Sequence, residues 1–282
     1  MSGKLCILMA YPYMTSDAIR KLMPQRDKVD LLVDSGAFTA WKAGQSIKLV
    51  DYLRFLESLP FEPWRYFMLD VIGDPQATWK NYLEMRRLGF DPIPIFTRGE
   101  DPAQIERYYE QTDYIAVGGL VGTMGHKGYL NGFRRLIGDR RAHWLGFTKM
   151  EFIKAYRPFS VDSSNWAAGL RFGSLPLYMG HGKMTRIIRK QFLRSHDARI
   201  NRRIERYGFS ADALYRDPEQ WTNSAGKILR EISFLSAVDV SLDTQRNLGT
   251  RFFIASSGAA DNHDLLKARA ALERITSRGS AA

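Results

Sequence analysis

A chain of 282 residues with 45% hydrophobic and 25% charged residues has the composition of a globular protein, and its length suits a single α/β barrel. No run of about 18 apolar residues occurs, so no membrane span is expected, and a lone cysteine, Cys6, excludes an internal disulfide or a multi-cysteine zinc site. The formal net charge of +11 and an isoelectric point of about 9.7 favour a polyanionic partner.

The chain opens on an apolar strand, Lys4 to Met9, with no signal-peptide pattern before it. A helix over Ser16 to Met23 follows, with Ser16 as its N-cap. Val29 to Val33 is the second strand, and apolar spacing makes Leu49 to Leu59 a helix. Tyr66 to Ile72 reads as the third strand and Pro75 to Leu88 as a helix that Gly89 stops. The fourth strand is Pro92 to Phe96, with a helix near Ala103 to Gln111. Tyr114 to Val117 is the fifth, followed by a helix near Tyr129 to Ile137. His143 to Phe147, a short helix from Met150 to Tyr156, and Phe159 to Val161 complete seven strands. Alternation of this kind builds βα units and a parallel sheet covered on both faces. The expected fold is a TIM-like (β/α)8 barrel forming one domain over residues 1–282. Its eighth strand, Arg251 to Ala255, and closing helix, Asn262 to Ile275, are delayed by a basic helical insertion over about 173–250.

Within that insertion, Lys183 to Arg206 holds nine Lys or Arg against two acids, a net +7. Met184, Ile187, Ile188, Phe192, Ile200, Ile204 and Tyr207 recur at helical spacing, which predicts one or two amphipathic helices with a cationic face. Such a face is either simply solvated or a phosphate-binding surface; its position after the seventh strand favours the second. The nucleic-acid-binding candidates are Lys183, Arg186, Arg189, Lys190, Arg194, Arg202 and Arg203. Arg98, Lys149, Lys154 and Arg171 near the barrel mouth are the alternative set.

Three strands end in an aspartate: Asp34, Asp70 and Asp162. In a parallel barrel those ends share the face that carries active sites. Asp162 opens into Ser163-Ser164-Asn165, a polar loop, and a carboxylate there can attack an anomeric carbon. Asp34 precedes Ser35 and Gly36, small residues that let a ligand approach the backbone, and a second carboxylate suits acid/base work. Asp70 can accept hydrogen bonds from the N–H edge of a purine. Each also has a structural alternative: a cap for Asp162 and Asp34, and burial against an arginine for Asp70. Gly118-Gly119-Leu120-Val121-Gly122 can offer backbone groups to a ligand but lacks the spacing of a dinucleotide or P-loop fingerprint. The five histidines form neither an HxH nor an HExxH pattern, so no metal and no cofactor is expected. His143 reads as a strand histidine, His181 as a loop residue, and Cys6 as inert core.

Together these motifs resemble the tRNA-guanine transglycosylase superfamily. Asp34-Ser35-Gly36-Ala37-Phe38-Thr39 is similar to its Asp-Ser-Gly-Gly-Phe-Gln motif. Gly118-Gly119-Leu120-Val121-Gly122 is similar to Gly-Gly-Leu-Ala-Val-Gly, one residue shorter, and Asp162 resembles the nucleophile that ends a later strand. The resemblance covers about Leu5 to Phe172. It implies base exchange, with Asp162 as nucleophile, Asp34 as acid/base, and Asp70, Ser35, Gly36, Gly118, Gly119, Leu120 and Asn165 around the base. The entering base would be a 7-deazaguanine such as preQ0 or preQ1. The superfamily's zinc site of three cysteines and a histidine cannot exist here, and Thr97-Arg98-Gly99 stands where a Gln-Gly-Gly is familiar. These departures resemble the phage DpdA-type branch, which acts on DNA. DNA is therefore the expected partner, with tRNA as the alternative. The expected location is the cytoplasm, that of the host if the chain is phage-encoded. A non-catalytic nucleic-acid-binding barrel and a metal-dependent barrel hydrolase are the rival classes.

Overall fold

A computed structural model describes residues 3–97, 99–120, 127–167, 174–221 and 226–279. Eight parallel strands form one curled sheet: β1 (Leu5–Ala10), β2 (Val29–Asp34), β3 (Arg65–Tyr66), β4 (Ile95–Phe96), β5 (Tyr114–Val117), β6 (Arg141–Trp144), β7 (Ser160–Ser163) and a late strand, β10 (Arg251–Ser256). Their order across the sheet is β3-β2-β1-β10-β7-β6-β5-β4. The two outer strands meet where Phe67 bridges Ile93: Met68 N–H donates to Ile93 O at 3.0 Å and Ile93 N–H to Tyr66 O at 2.8 Å. The architecture is an α/β fold consistent with a TIM-like barrel.

The sequence dictates this in a simple way. Leu5, Cys6, Ile7 and Met9 are fully buried, as a strand covered on both faces requires. Helices α1 (Ser16–Leu22), α2 (Ala37–Lys42), α3 (Leu49–Ser58), α4 (Pro75–Arg87), α5 (Ala103–Tyr109), α6 (Lys127–Ile137) and α7 (Met150–Tyr156) separate the first seven strands. Side chains fill the interior. Trp64 packs on Tyr114 and Phe253, with ring centroids 5.9 and 5.2 Å apart, and His143 lies between Phe67 and Phe253. Cys6 is in that core, where burial pushes its thiol up to about 12.

Four expectations change. Thr15, not Ser16, caps α1, its side chain accepting from Ala18 N–H at 3.2 Å. The third strand ends at Tyr66, because Asn81 and Thr78 on α4 take the backbone of Leu69 and Val71 that would have extended the ladder. The fourth is cut to Ile95–Phe96, since Pro92 and Pro94 have no N–H to donate. The fourth change is the largest. Lys183 to Ile188 is a strand rather than a helix: β8 (Ser174–Gly180) and β9 (Lys183–Ile188) form an antiparallel hairpin. Gly180, His181 and Gly182 all take positive φ in its turn, a conformation cheap for two of the three. Helices α8 (Arg189–Ser195), α9 (Ala198–Arg206), α10 (Ala211–Arg216) and the long α11 (Lys227–Leu248) follow, and α12 (Ala259–Gly279) closes the chain. Among the described residues no helix is long and apolar enough to cross a membrane.

Candidate active site

Asp34 is the last residue of β2. Gly36 turns the chain at φ +76°, and a Cβ there would come 2.5 Å from Pro12 Cδ, so only glycine fits. The turn brings Gly36 N–H to Asp34 Oδ1 at 2.6 Å and Ala37 N–H to Ser35 Oγ at 3.3 Å. Ser35 Oγ in turn donates to Asp70 Oδ1 at 3.2 Å, linking the end of β2 to the segment that follows β3. Burial, and after it the charge of Asp70, pushes the Asp34 carboxyl up to about 7; Asp162 adds to this and the Gly36 N–H opposes it. Asp70 is also raised, chiefly by burial, against the pull of its own N–H and the Ser35 hydroxyl. Among the described residues Asp70 is held by Ser35 and pairs with no arginine; Arg98 lies outside them.

Asp162 occupies the third position of β7. Its Oδ1 accepts from Gly146 N–H at 2.7 Å and lies 3.2 Å from His143 Nε2. Its Oδ2 has no hydrogen-bond partner among the described residues. The cap for the following turn is Ser163, whose Oγ accepts from Asn165 N–H at 3.2 Å, and not Asp162. Behind Asp162 a buried chain runs inward: His143 Nδ1 is 2.7 Å from Ser160 Oγ, which is 2.6 Å from Tyr114 OH. Tyr114 donating to Ser160, and Ser160 to Nδ1, leaves Nε2–H to point at Asp162, an assignment made from the network.

The sequence-selected residues divide. Asp34, Ser35, Gly36 and Asp70 form one hydrogen-bonded unit, and the charges of Asp70 and Asp162 both act on Asp34. Gly118 continues β5, donating its N–H to Phe96 O at 2.8 Å, and Gly119 is exposed at φ +72°. Leu120 is fully buried, so its side chain is core; any ligand contact falls to its backbone. Val121 and Gly122 lie outside the described residues, as do Arg98 and Arg171. Asn165 is exposed and lines a cavity on the other side of β7, away from the carboxylates. Among the described residues no group of three or more His, Cys, Asp or Glu is placed to hold a metal ion.

Of the cationic candidates, Lys183, Arg186, Arg189, Lys190, Arg194 and Arg202 are exposed. Arg203 is not: its Nε donates to Tyr178 O at 2.5 Å and its guanidinium pairs with Asp239. Its place is structural, pinning α9 to the hairpin and α11. The cationic surface spans two helices, within the expected one or two, and also a strand, Lys183–Ile188, where helix was expected.

Three further features belong to the site. His143 is the immediate neighbour of Asp162, a role hidden in a strand that reads as core. Phe38 and Trp41 on α2 are 53% and 54% exposed, stacked with centroids 6.0 Å apart, and Lys42 Nζ lies 4.3 Å above the Phe38 ring. The exposed aromatics follow directly on Asp34-Ser35-Gly36, which was the available signal. Glu100, three residues past Thr97, takes Thr97 N–H on Oε1 at 2.7 Å and is raised by burial first and by the Asp70 charge last. No family model matches this chain, and neither a curated protein nor a solved structure does.

Proposed function

We propose that this chain is a glycosyltransferase that exchanges guanine in DNA for a 7-deazaguanine base through a covalent aspartyl–sugar intermediate. The observation that carries the reading is the contrast between two carboxyls at one barrel mouth. Asp162 is anchored through Oδ1, and its Oδ2 has no hydrogen-bond partner among the described residues, which suits a poised nucleophile. Asp34 has its pKa raised to about 7, the property of a group that holds a proton and releases it near neutrality.

In this reading Asp162 Oδ2 attacks C1′, the C1′–N9 bond breaks, and the departing guanine takes the Asp34 proton. The entering base returns a proton to Asp34 as its nitrogen attacks C1′ and the ester to Asp162 breaks. Asp70 and the backbone of Gly118, Gly119 and Leu120 take the base edge. Phe38 and Trp41 offer rings on which an unstacked base can rest. DNA is favoured over tRNA by the single cysteine, by Thr97-Arg98-Gly99 in place of a glutamine motif, and by the basic segment after β7.

The test is incubation with radiolabelled guanine and, separately, single-stranded DNA, duplex DNA and tRNA. Label in DNA and a denaturation-resistant protein–DNA adduct that Asp162→Asn abolishes are expected. Label entering tRNA alone would transfer the proposal to RNA, and no label in any of the three would remove it.

A further inference from the structure

A cavity of about 810 Å3 lies away from the three aspartates. It lies on the opposite face of β7 and β10. Successive residues of a strand face opposite sides of the sheet. Asp162 and its β10 partner Phe253 face the barrel interior with His143. Ser163 and the β10 residues Phe252 and Ile254 face outward and line the cavity, which the hairpin, α7 and α11 enclose.

Its wall changes character with depth. Met150, Trp166, Val240, Phe252 and Ile254 are buried and supply an apolar floor. Exposed Lys149, Lys154, Lys183 and Arg186 stand at the rim against one acid, Glu151. Arg186 spends only Nε, on Ser174 Oγ at 3.0 Å, and its two terminal nitrogens have no partner among the described residues. Lys149 and Lys183 form no ion pair among those residues. A free guanidinium fork beside ammonium groups matches a phosphate. Among the described residues two hydroxyls in the wall act as acceptors only: Ser236 Oγ takes Tyr178 N–H at 2.6 Å and Ser163 Oγ takes Asn165 N–H. Each keeps its own hydrogen to donate. An acyl chain would leave those donors unused, whereas a sugar or base accepts them. The volume lies in the range of small-molecule sites.

We propose that this cavity is a binding site for a nucleoside phosphate, separate from the carboxylate site, with the phosphate at Lys149, Lys183 and Arg186 and the nucleoside over the apolar floor. The ligand is either a free nucleotide or a nucleotide of a bound strand. The inference does not need base exchange to be correct.

Titration calorimetry on the full chain with dGMP, guanosine and a five-nucleotide single-stranded DNA tests it. Expected are dGMP binding, guanosine binding about tenfold or more weakly, and a similar loss of dGMP affinity in Lys183→Gln/Arg186→Gln. Both side chains are exposed, so that variant folds. Ala237→Phe, which fills the floor, should also reduce binding. Asp34→Asn and Asp162→Asn should bind dGMP as wild type does, which separates this site from the exchange reading. Oligonucleotide affinity that drops in the double variant and competes with dGMP makes the occupant part of a strand; unchanged affinity without competition makes it a free nucleotide. Absence of dGMP binding, or binding that the rim and floor variants leave intact, would overturn the proposal, as would binding lost only in the aspartate variants.

Discussion

His143 Nε2 stands 3.2 Å from Asp162 Oδ1, and the imidazole is fully buried while the carboxylate is 15% exposed. The buried ring is itself fixed by Ser160 and flanked by Phe67 and Phe253. His143 therefore fixes the direction of the carboxylate without reaching solvent or substrate. It is a positioning residue. His143→Ala should lower kcat on the order of 100-fold with little change in KM for the nucleic acid, since misplacing a nucleophile by about 1 Å costs that much. His143→Gln, which keeps a donor near Asp162, should recover part of the loss. A KM effect as large as the kcat effect would mean a general collapse of the barrel mouth.

Asp34 sets the pH behaviour. With its carboxyl raised to about 7, the acid form that would assist the leaving base in the proposed exchange is lost as pH rises through that value, so kcat/KM should fall about tenfold per unit above it. Stability follows the same group with a definite sign. The folded state binds this proton more tightly than the unfolded chain, so the favourable contribution is full below about pH 4 and is lost as pH rises through about 7. Asp34→Asn has no such dependence. Relative to wild type it should gain stability between pH 5 and pH 8, by on the order of 2–4 kcal/mol, as read by urea unfolding at both pH values. A constant difference between the two proteins at both pH values would show that Asp34 titrates normally.

The strand–helix alternation made the barrel legible, because two-sided burial writes unbroken apolar runs such as Leu5 to Met9. The carboxylates were legible for the same reason: a charge that ends an apolar run stands out. The hairpin was not. Met184, Ile187 and Ile188 satisfy a helical spacing as well as a strand, and only the Gly180-His181-Gly182 turn tells them apart. Arg203 looked like its exposed neighbours, because the Asp239 that neutralises it lies 36 residues away in sequence. His143 stood out as a strand histidine, but its pairing with Asp162 gave no signal, since Asp162 is on the next strand and nothing local pairs them.

Asp70 has two separable tasks. In the proposed exchange it is a buried acceptor for the base edge, so Asp70→Asn should weaken base selection by on the order of 1–3 kcal/mol while DNA affinity, carried by phosphates, hardly changes. Its charge is also the second cause of the raised Asp34 carboxyl. Neutralising it should move the alkaline limb of kcat/KM to lower pH. An unmoved limb in an otherwise selective enzyme would assign the Asp34 shift to burial alone.

Gly36→Ala tests the turn that aims Asp34. The left-handed φ and the 2.5 Å approach of a Cβ to Pro12 Cδ together cost on the order of 1–3 kcal/mol. The hydrogen bond from Gly36 N–H to Asp34 Oδ1 should be lost with the turn. Adduct formation by Asp162 should then persist at a reduced rate, because the nucleophile is held by β6 and β7 and not by this loop. Adduct yield and thermal unfolding, measured together, check both halves; a variant as stable and as active as wild type would deny the turn its role.

The cationic surface after β9 makes the last prediction. Arg189, Lys190, Arg194 and Arg202 are exposed and form no ion pair among the described residues. If they lie along a strand's phosphates, binding displaces condensed counterions, and log affinity falls with log salt by about 0.7 per contact on single strands and about 0.9 on duplex. Replacing all four by Gln should flatten that slope by about 3 to 4 units and weaken all DNA sequences alike. Arg203→Gln is the control. It breaks a buried pair with Asp239 and should cost on the order of 3–5 kcal/mol of stability, with no change in slope while the protein remains folded. Because a base must leave the stack to reach Asp162, single-stranded or mismatched sites should also react faster than perfect duplex. A four-Gln variant that keeps the wild-type slope would make this face a solvated one and move the strand to Lys149, Lys154 and the cavity rim.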